Sequence, residues 1–282
     1  MAKPLSVTIV GPGALGTALA KSLHAASIKV EEVVYRSAES EKRAKALAKS
    51  IEARPTQFED ADFIGSVIWI CVGDSVIAKT ALKMAKRRSW QRTTVLHSSG
   101  ALSSDELAPL SRQGAKVASV HPMMTFVRSA QPSMKGVAFA LEGDSSATAT
   151  ARKLVKALGG YAFQLAKKDK PLYHALGAFA SPLIIAQMAA AERIGRELGL
   201  KPQQTRKIVG PILQQTIRNY LEYGPAAAFS GPIVRGDAST VAKNLTALKR
   251  VRGGAEIYRA LAKIAVQELP SKDAKAVRKI VR

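Results

Sequence analysis

The segment Leu5-Ser-Val-Thr-Ile-Val10 runs straight into Gly11-Pro-Gly13-Ala14-Leu15-Gly16 and then into the helix-forming Thr17-Ala-Leu-Ala-Lys-Ser-Leu23. An apolar strand, a G-x-G-x-x-G turn and a helix, in that order, leave few folds open. Gly11 lets the chain turn sharply off the strand. Gly13 has no side chain to hold off a pyrophosphate, and Gly16 lets the helix pack closely on a sheet. The helix start then presents N–H groups and a positive dipole end to phosphates. Gly11, Gly13, Ala14, Leu15 and Gly16 are therefore read as a dinucleotide cradle.

The end of the second strand selects the dinucleotide. Val30-Glu-Glu-Val-Val-Tyr-Arg-Ser37 reads as that strand, and its last residues fall where the adenosine ribose belongs. An acid there bonds the 2′-hydroxyl in NAD enzymes. Here Arg36 and Ser37 stand in that place, with Lys42 and Arg43 just beyond. A guanidinium pairs bidentately with a phosphate that a carboxylate would repel. The cofactor expected is NADP(H).

The alternation continues through the first half. Phe63 to Val72 reads as a strand, followed by a turn at Gly73-Asp74 and a helix from Val76 to Arg88. Thr94 to Ser99, Lys116 to His121 and Gly136 to Leu141 read as further strands, with a helix near Ser104 to Arg112. A helix from Ser146 to Leu158 and a short strand from Tyr161 to Leu165 close the series. The pattern predicts an α/β fold, a doubly wound, mostly parallel Rossmann sheet over residues 1–166. Beyond it, Leu172 to Leu198 and Pro202 to Tyr223 read as long helices, the second kinked at Gly210-Pro211. Helices near Ser239 to Arg250 and Gly254 to Glu268 follow, so residues 167–282 are expected to be an all-helical substrate and dimerisation domain. Ligands bind outside the carboxyl ends of such sheets, which places the expected cleft between the domains.

The net charge of +22 is spread along the whole chain, while aromatic residues are only 5% and no zinc-finger or RNA-binding signature appears. Most of that charge reads as solvated helix faces with a local share in phosphate binding, so no specific nucleic-acid partner is expected. No apolar run approaches the ~20 residues of a membrane span, and no leader precedes the first strand. Cys71, the single cysteine, lies in an apolar strand and reads as a core thiol. A cytoplasmic protein without a membrane partner is the expectation.

Three further segments carry a resemblance: Val95-Leu-His-Ser-Ser-Gly-Ala101, His121-Pro122, and Phe229-Ser-Gly-Pro-Ile-Val-Arg-Gly-Asp237. With the cradle and Arg36-Ser37, the chain resembles the superfamily of pyrroline-5-carboxylate reductase, ketopantoate reductase and 6-phosphogluconate dehydrogenase. More narrowly, it resembles Rossmann-like proteins with a C-terminal domain of unknown function. The resemblance implies hydride transfer between NADP(H) and a small anionic substrate, a keto acid or cyclic imine bearing a carboxylate, on a homodimer. A ketopantoate-reductase-like enzyme and a noncatalytic NADP(H)-binding regulator or scaffold remain alternatives.

In the hydroxyacid relatives a Lys, with an Asn four residues later, opens the first long helix of the second domain. The matching place here reads Lys170-Pro-Leu-Tyr-His174, so Lys170 and His174 share a helix face and either can supply a proton. His stands where the relatives have Asn, which leaves the roles of the two open. Ser181 falls on roughly the same face. Strand ends add Val72, Gly73, Asp74, His97 and Ser98 toward the cofactor, and Ser99 and His121 toward the substrate. Arg235 is the candidate clamp for a substrate carboxylate, and Asp237 reads as a helix cap. Only four histidines exist, without metal-ligand spacing, so no metal is expected.

Overall fold

The computed structural model describes residues 4–127, Ala130 and 132–282. Eight strands form one sheet: β1 (Ser6–Val10), β2 (Lys29–Tyr35), β3 (Arg54–Gln57), β4 (Val67–Ile70), β5 (Thr94–His97), β6 (Lys116–Pro122), β7 (Ala138–Gly143) and β8 (Tyr161–Gln164). Their spatial order is β3-β2-β1-β4-β5-β6-β7-β8, with strand order reversing about β1. Every neighbouring pair is parallel except β6 with β7, which run antiparallel. This is the doubly wound sheet expected from the alternation of strands and helices.

The helices of this part are α1 (Ala14–Ala25), α2 (Ala38–Ser50), α3 (Asp74–Ala85), the short α4 (Ala108–Ser111) and α5 (Ser145–Ala157). Two apolar layers flank the sheet, and the pleat sorts residues between them. Val67 and Trp69 of β4 join α1, α2 and α5 on one face, while Ile68 and Ile70 join α3 and α4 on the other. A strand buried on both faces must be apolar throughout, and β4 is.

Several details differ from the sequence reading. β3 is an edge strand of Arg54-Pro55-Thr56-Gln57, invisible to an apolar pattern, with Pro55 tolerated at the sheet margin. The strand expected from Phe63 shrinks to Val67–Ile70, because Phe63 adopts a left-handed turn conformation with φ 51°. The long helix expected from Leu172 to Leu198 is two, α6 (Lys170–Ala180) and α7 (Pro182–Glu197), separated at Ser181 with φ −136° and ψ −82°. Pro182 opens α7, the position where a missing N–H costs nothing.

By compactness the chain divides into a sheet unit, Met1–Ala178, and a helical unit, Phe179–Arg282. Most of α6 thus belongs with the sheet. The helical unit holds α7, α8 (Pro202–Ala228), α9 (Ala238–Leu248), α10 (Gly254–Glu268) and α11 (Ala274–Val281). Within α8 the non-helical residue is Gly224, at φ 77° ahead of Pro225, whereas Gly210-Pro211, the expected kink or break, keeps helical φ/ψ and does not break the helix. A small core of Val241, Leu245, Val266, Val277 and Val281 joins α9, α10 and α11.

Candidate functional site

Two parts of the sheet unit gather polar side chains at the carboxyl ends of the strands. The first is the cradle. Gly11 sits at φ 102°, and a β-carbon there would lie 2.8 Å from the Cys71 carbonyl oxygen. A β-carbon on Gly16 would collide with the Gly11 carbonyl oxygen, so α1 approaches the turn as closely as backbone allows. Gly13 is exposed and precedes α1 as its cap residue, with no side chain capping the helix. The N–H groups of the first turn, from Ala14, Leu15 and Gly16, therefore stay available to an anion. Gly73 starts α3 in the same uncapped way, whereas Ser37 caps α2 through its side chain.

Beside this turn lies a cavity of about 280 Å3 lined by Gly11, Pro12 and Gly13 at one end and by Tyr35, Arg36, Ser37, Ser40 and Arg43 at the other. Val72, Gly73 and one stripe of α3 complete it. The lining contains Arg36, Arg43, Lys79 and Lys83 and no carboxylate. Arg36 is exposed. Arg43 shares its charge with Glu39, 3.0 Å away on the same helix. Ser37 and Ser40 cap α2 reciprocally, with their hydroxyl oxygens 3.0 Å apart. A dinucleotide with a phosphorylated ribose fits this donor set: bare glycine backbone for the pyrophosphate, and guanidinium and hydroxyl groups where the 2′-phosphate falls.

The second part is a cluster on β5, β6 and α6. Lys170 is 1% exposed, and its ammonium donates to Ser119 Oγ at 2.7 Å and to the Ser99 carbonyl at 3.1 Å. Burial lowers its pKa from the usual lysine range, opposed by the charges of Glu142 and Asp74. Ser119 Oγ in turn donates to the Ser99 carbonyl at 3.0 Å. Lys170 therefore pins the turn after β5 onto β6.

His121, near the end of β6, places Nδ1 2.8 Å from the Tyr173 hydroxyl, with the two rings edge to face. Burial, then the Lys170 and His174 charges, push His121 down to about 4, so its ring is neutral at neutral pH. Burial pushes Tyr173 up to about 12. His174, one turn beyond Lys170, is exposed. A β-carbon on Gly100 would stand 2.8 Å from His121 Nε2 and 3.0 Å from His174 Nδ1, so both rings close on this glycine.

Several expected residues play other parts. His97 is fully buried. Its Nδ1 accepts from the Ser99 N–H at 3.1 Å, which leaves Nε2 to donate to the Ser103 carbonyl at 3.0 Å. Desolvation pushes it down to about 4, and with both nitrogens engaged it holds the loop rather than a ligand. Ser98 Oγ accepts from the Trp69 indole at 2.7 Å. Ser99 Oγ donates to Asp74 at 2.8 Å and accepts from the Ala101 and Leu102 N–H groups, so both Ser99 and Asp74 are spent on the turn. Desolvation raises the Cys71 thiol far above its ordinary value, and the half-buried residue packs against one apolar layer while also lining the cavity. Ser181 and Arg235 belong to the helical unit, where Arg235 is exposed. Asp237 caps α9, accepting from the Thr240 N–H at 2.9 Å. Among the described residues no three His, Cys, Asp or Glu side chains gather as metal ligands.

The sequence reading missed Tyr173, Ser119, Gly100, Ser40, Lys79 and Lys83. For the α3 pair a signal existed, since Val76, Lys79, Thr80 and Lys83 fall at helical spacing on one stripe. Ser119 and Tyr173 reach the cluster from strands and helices far apart in sequence, which no local pattern reveals.

The segment Lys167–Glu197 is apolar and long enough to cross a membrane by composition. The run-length reading overlooked it, yet its first part carries the buried Lys170 and it breaks at Ser181.

Comparison with known proteins agrees with this architecture. Residues 1–122 match the profile of a Rossmann-like domain, and residues 137–265 match a domain of unknown function, DUF2520. No curated protein matches the chain by sequence. Among solved structures, the chain is similar to a provisionally assigned NADP oxidoreductase from Bacteroides fragilis, at 20% identity and a TM-score of 0.76, over 93% of this chain and 97% of that one. A protein from Thermotoga maritima superposes with a TM-score of 0.72 at 22% identity, over 98% of this chain and 100% of that one. An imine reductase from Myxococcus stipitatus, solved with NADP+, gives 0.66 at 18% identity, over 98% of this chain and 100% of that one.

Proposed function

We propose that this chain is an NADP(H)-dependent oxidoreductase that reduces C=N or C=O in a small cyclic imine or keto acid bearing a carboxylate. The observation that carries the reading is the carboxylate-free cavity joining an uncapped glycine turn to Arg36, Ser37 and Arg43. The similar structures named for NADP chemistry support it.

NADPH, when bound, supplies the hydride. The first-turn N–H groups of α1 would hold its pyrophosphate, and Arg36, Ser37 and Arg43 its 2′-phosphate. His174 is the proton donor in this reading: it is exposed, and its Nδ1 faces the same glycine as His121 Nε2. Lys170, with its ammonium spent on Ser99 and Ser119, positions the turn that carries Gly100. Its charge also favours an anionic substrate over a cationic one. His121 stays neutral and is held by its bond to Tyr173, with its Nε2 beside the glycine that His174 also meets.

We assign the partner as a second copy of this chain. Ile185, Ile208, Ile212, Leu221 and Tyr223 of α7 and α8 are all exposed in the single chain. An apolar surface of that extent marks an interface, and two identical faces pair with closed symmetry.

Nicotinamide fluorescence titration tests the first part. NADPH is expected to bind about tenfold or more tighter than NADH, and Arg36→Ala to abolish that preference. His174→Ala is expected to keep NADPH binding while losing turnover of imine and keto-acid substrates. Binding of neither cofactor would sink the reading, and full turnover by the His174 variant would remove its proton donor.

A further inference from the structure

The cavity beside the cradle has two cationic walls. One is the expected wall at the end of β2, Arg36 with Arg43. The other is α3, whose Val76, Lys79, Thr80 and Lys83 all line the cavity. These four fall at i, i+3, i+4 and i+7, a single stripe of one helix. Val76 and Thr80 form its floor. The Thr80 hydroxyl is spent on its own helix, donating to the Val76 carbonyl at 2.8 Å. Lys79 and Lys83 stand exposed at the rim, and no ion pair engages either among the described residues.

Charge accounting gives the second wall a purpose. A phosphomonoester carries close to two negative charges at neutral pH. On the β2 wall, Arg43 is already paired with Glu39, which leaves Arg36 as that wall's one uncommitted cation. Ser37 and Ser40 bond one another across the α2 cap. Among the described residues, the other cations in the lining are Lys79 and Lys83.

We infer that Lys79 and Lys83 form the second jaw of a clamp on the ribose 2′-phosphate and help set the preference for a phosphorylated dinucleotide. The inference rests on the NADP(H) reading and deepens it, because it assigns specificity to a helix that carries no recognised phosphate motif. Flexible ammonium groups suit this place. They close on a point charge from the open side, where a rigid guanidinium fork needs one fixed approach.

The test compares NADPH and NADH dissociation constants for the wild type, Lys79→Ala/Lys83→Ala and Lys79→Arg/Lys83→Arg, with the thermal midpoint checked for each. Adenosine 2′,5′-bisphosphate and adenosine 5′-monophosphate serve as competing probes that need no turnover. The alanine pair is expected to weaken NADPH and the bisphosphate by about tenfold, with NADH and the monophosphate held within about twofold. The arginine pair is expected to retain the preference. Equal weakening of all four ligands would overturn the clamp in favour of a general basic field, and unchanged constants would reduce the lysines to solvated side chains. A wild type that prefers NADPH, with both variant pairs keeping that preference, sinks the clamp alone. A wild type that binds none of the four sinks the clamp and the proposed function together.

Discussion

Every residue of β4 is buried, with Val67 and Trp69 in one apolar layer and Ile68 and Ile70 in the other. In α7 and α8, by contrast, Ile185 is 67% exposed and Leu221 76%. The helical unit's own core is a cluster of small aliphatic side chains between α9, α10 and α11, which leaves α7 and α8 with little of their apolar surface covered. The sheet unit is stabilised from within: a sheet with both faces covered buries its strands completely and holds polar groups only where bonds satisfy them. The helical unit, for the same apolar content, leaves far more of it exposed in the single chain. The difference teaches where each kind of change should act. Protonation and backbone crowding should reach the sheet unit, and concentration should reach the helical one.

Acid should separate the two most. All four histidines of the chain precede residue 179, and His97 and His121 are held at about 4. Their unfolded value is about 6.5, so between these values the unfolded chain binds protons that the folded chain refuses. The stabilisation is complete above about pH 6.5 and is lost as pH falls toward about 4, at roughly 3 kcal/mol for each ring. Both tryptophans, Trp69 and Trp90, are in the sheet unit, so denaturant unfolding followed by their fluorescence reports it alone. The fluorescence midpoint should fall steeply from about pH 7 to about pH 4.5. A midpoint that stays put would mean the two rings are protonated without cost, and the contrast with the helical unit would lose its sharpest edge.

Concentration should single out the helical unit. On a free surface Leu221→Glu would be nearly neutral. In a symmetric dimer it removes one apolar contact and buries one charge twice over, roughly 3 kcal/mol or more than a hundredfold in the dimer dissociation constant. Sedimentation velocity over a dilution series should show a wild-type dimer and a Leu221→Glu monomer. An unshifted dimer would move the interface off the exposed face of α8.

These residues also show how much the sequence could say. The cradle was legible because its order of strand, glycines and helix is local, and so was the place of Arg36, just past β2 in the lining of the cavity. β3 was not, since Arg54-Pro55-Thr56-Gln57 has no apolar period and takes its place only by pairing with β2. His97 was misplaced for a subtler reason. The strand expected to run to Ser99 ends at His97, the Ser99 N–H turns back onto its ring and the Ser103 carbonyl closes on the other side. The pairing of His121 with Tyr173 spans 52 residues, and only the assembled sheet brings them together. Lys170 was legible as a special lysine, but its work is to bond Ser99 and Ser119, which its neighbours in sequence do not announce.

The smallest of these effects asks whether the two units can be perturbed one at a time. Gly16 is buried where α1 meets the turn, and an alanine there meets the Gly11 carbonyl oxygen with Cys71 Cβ only 3.2 Å away. Neither neighbour can swing aside, because one is backbone and the other is attached to it. The helix must back off the sheet, a crowding cost of about 2 kcal/mol. Gly16→Ala should therefore lower the tryptophan-reported midpoint and weaken NADPH binding by displacing the α1 N-terminus from the phosphates. It should leave the dimer dissociation constant unchanged, because none of the exposed residues of α7 and α8 is involved. If the dimer weakens in step with the sheet, the helical unit depends on the sheet's packing, and its stability cannot be ascribed to the second copy alone.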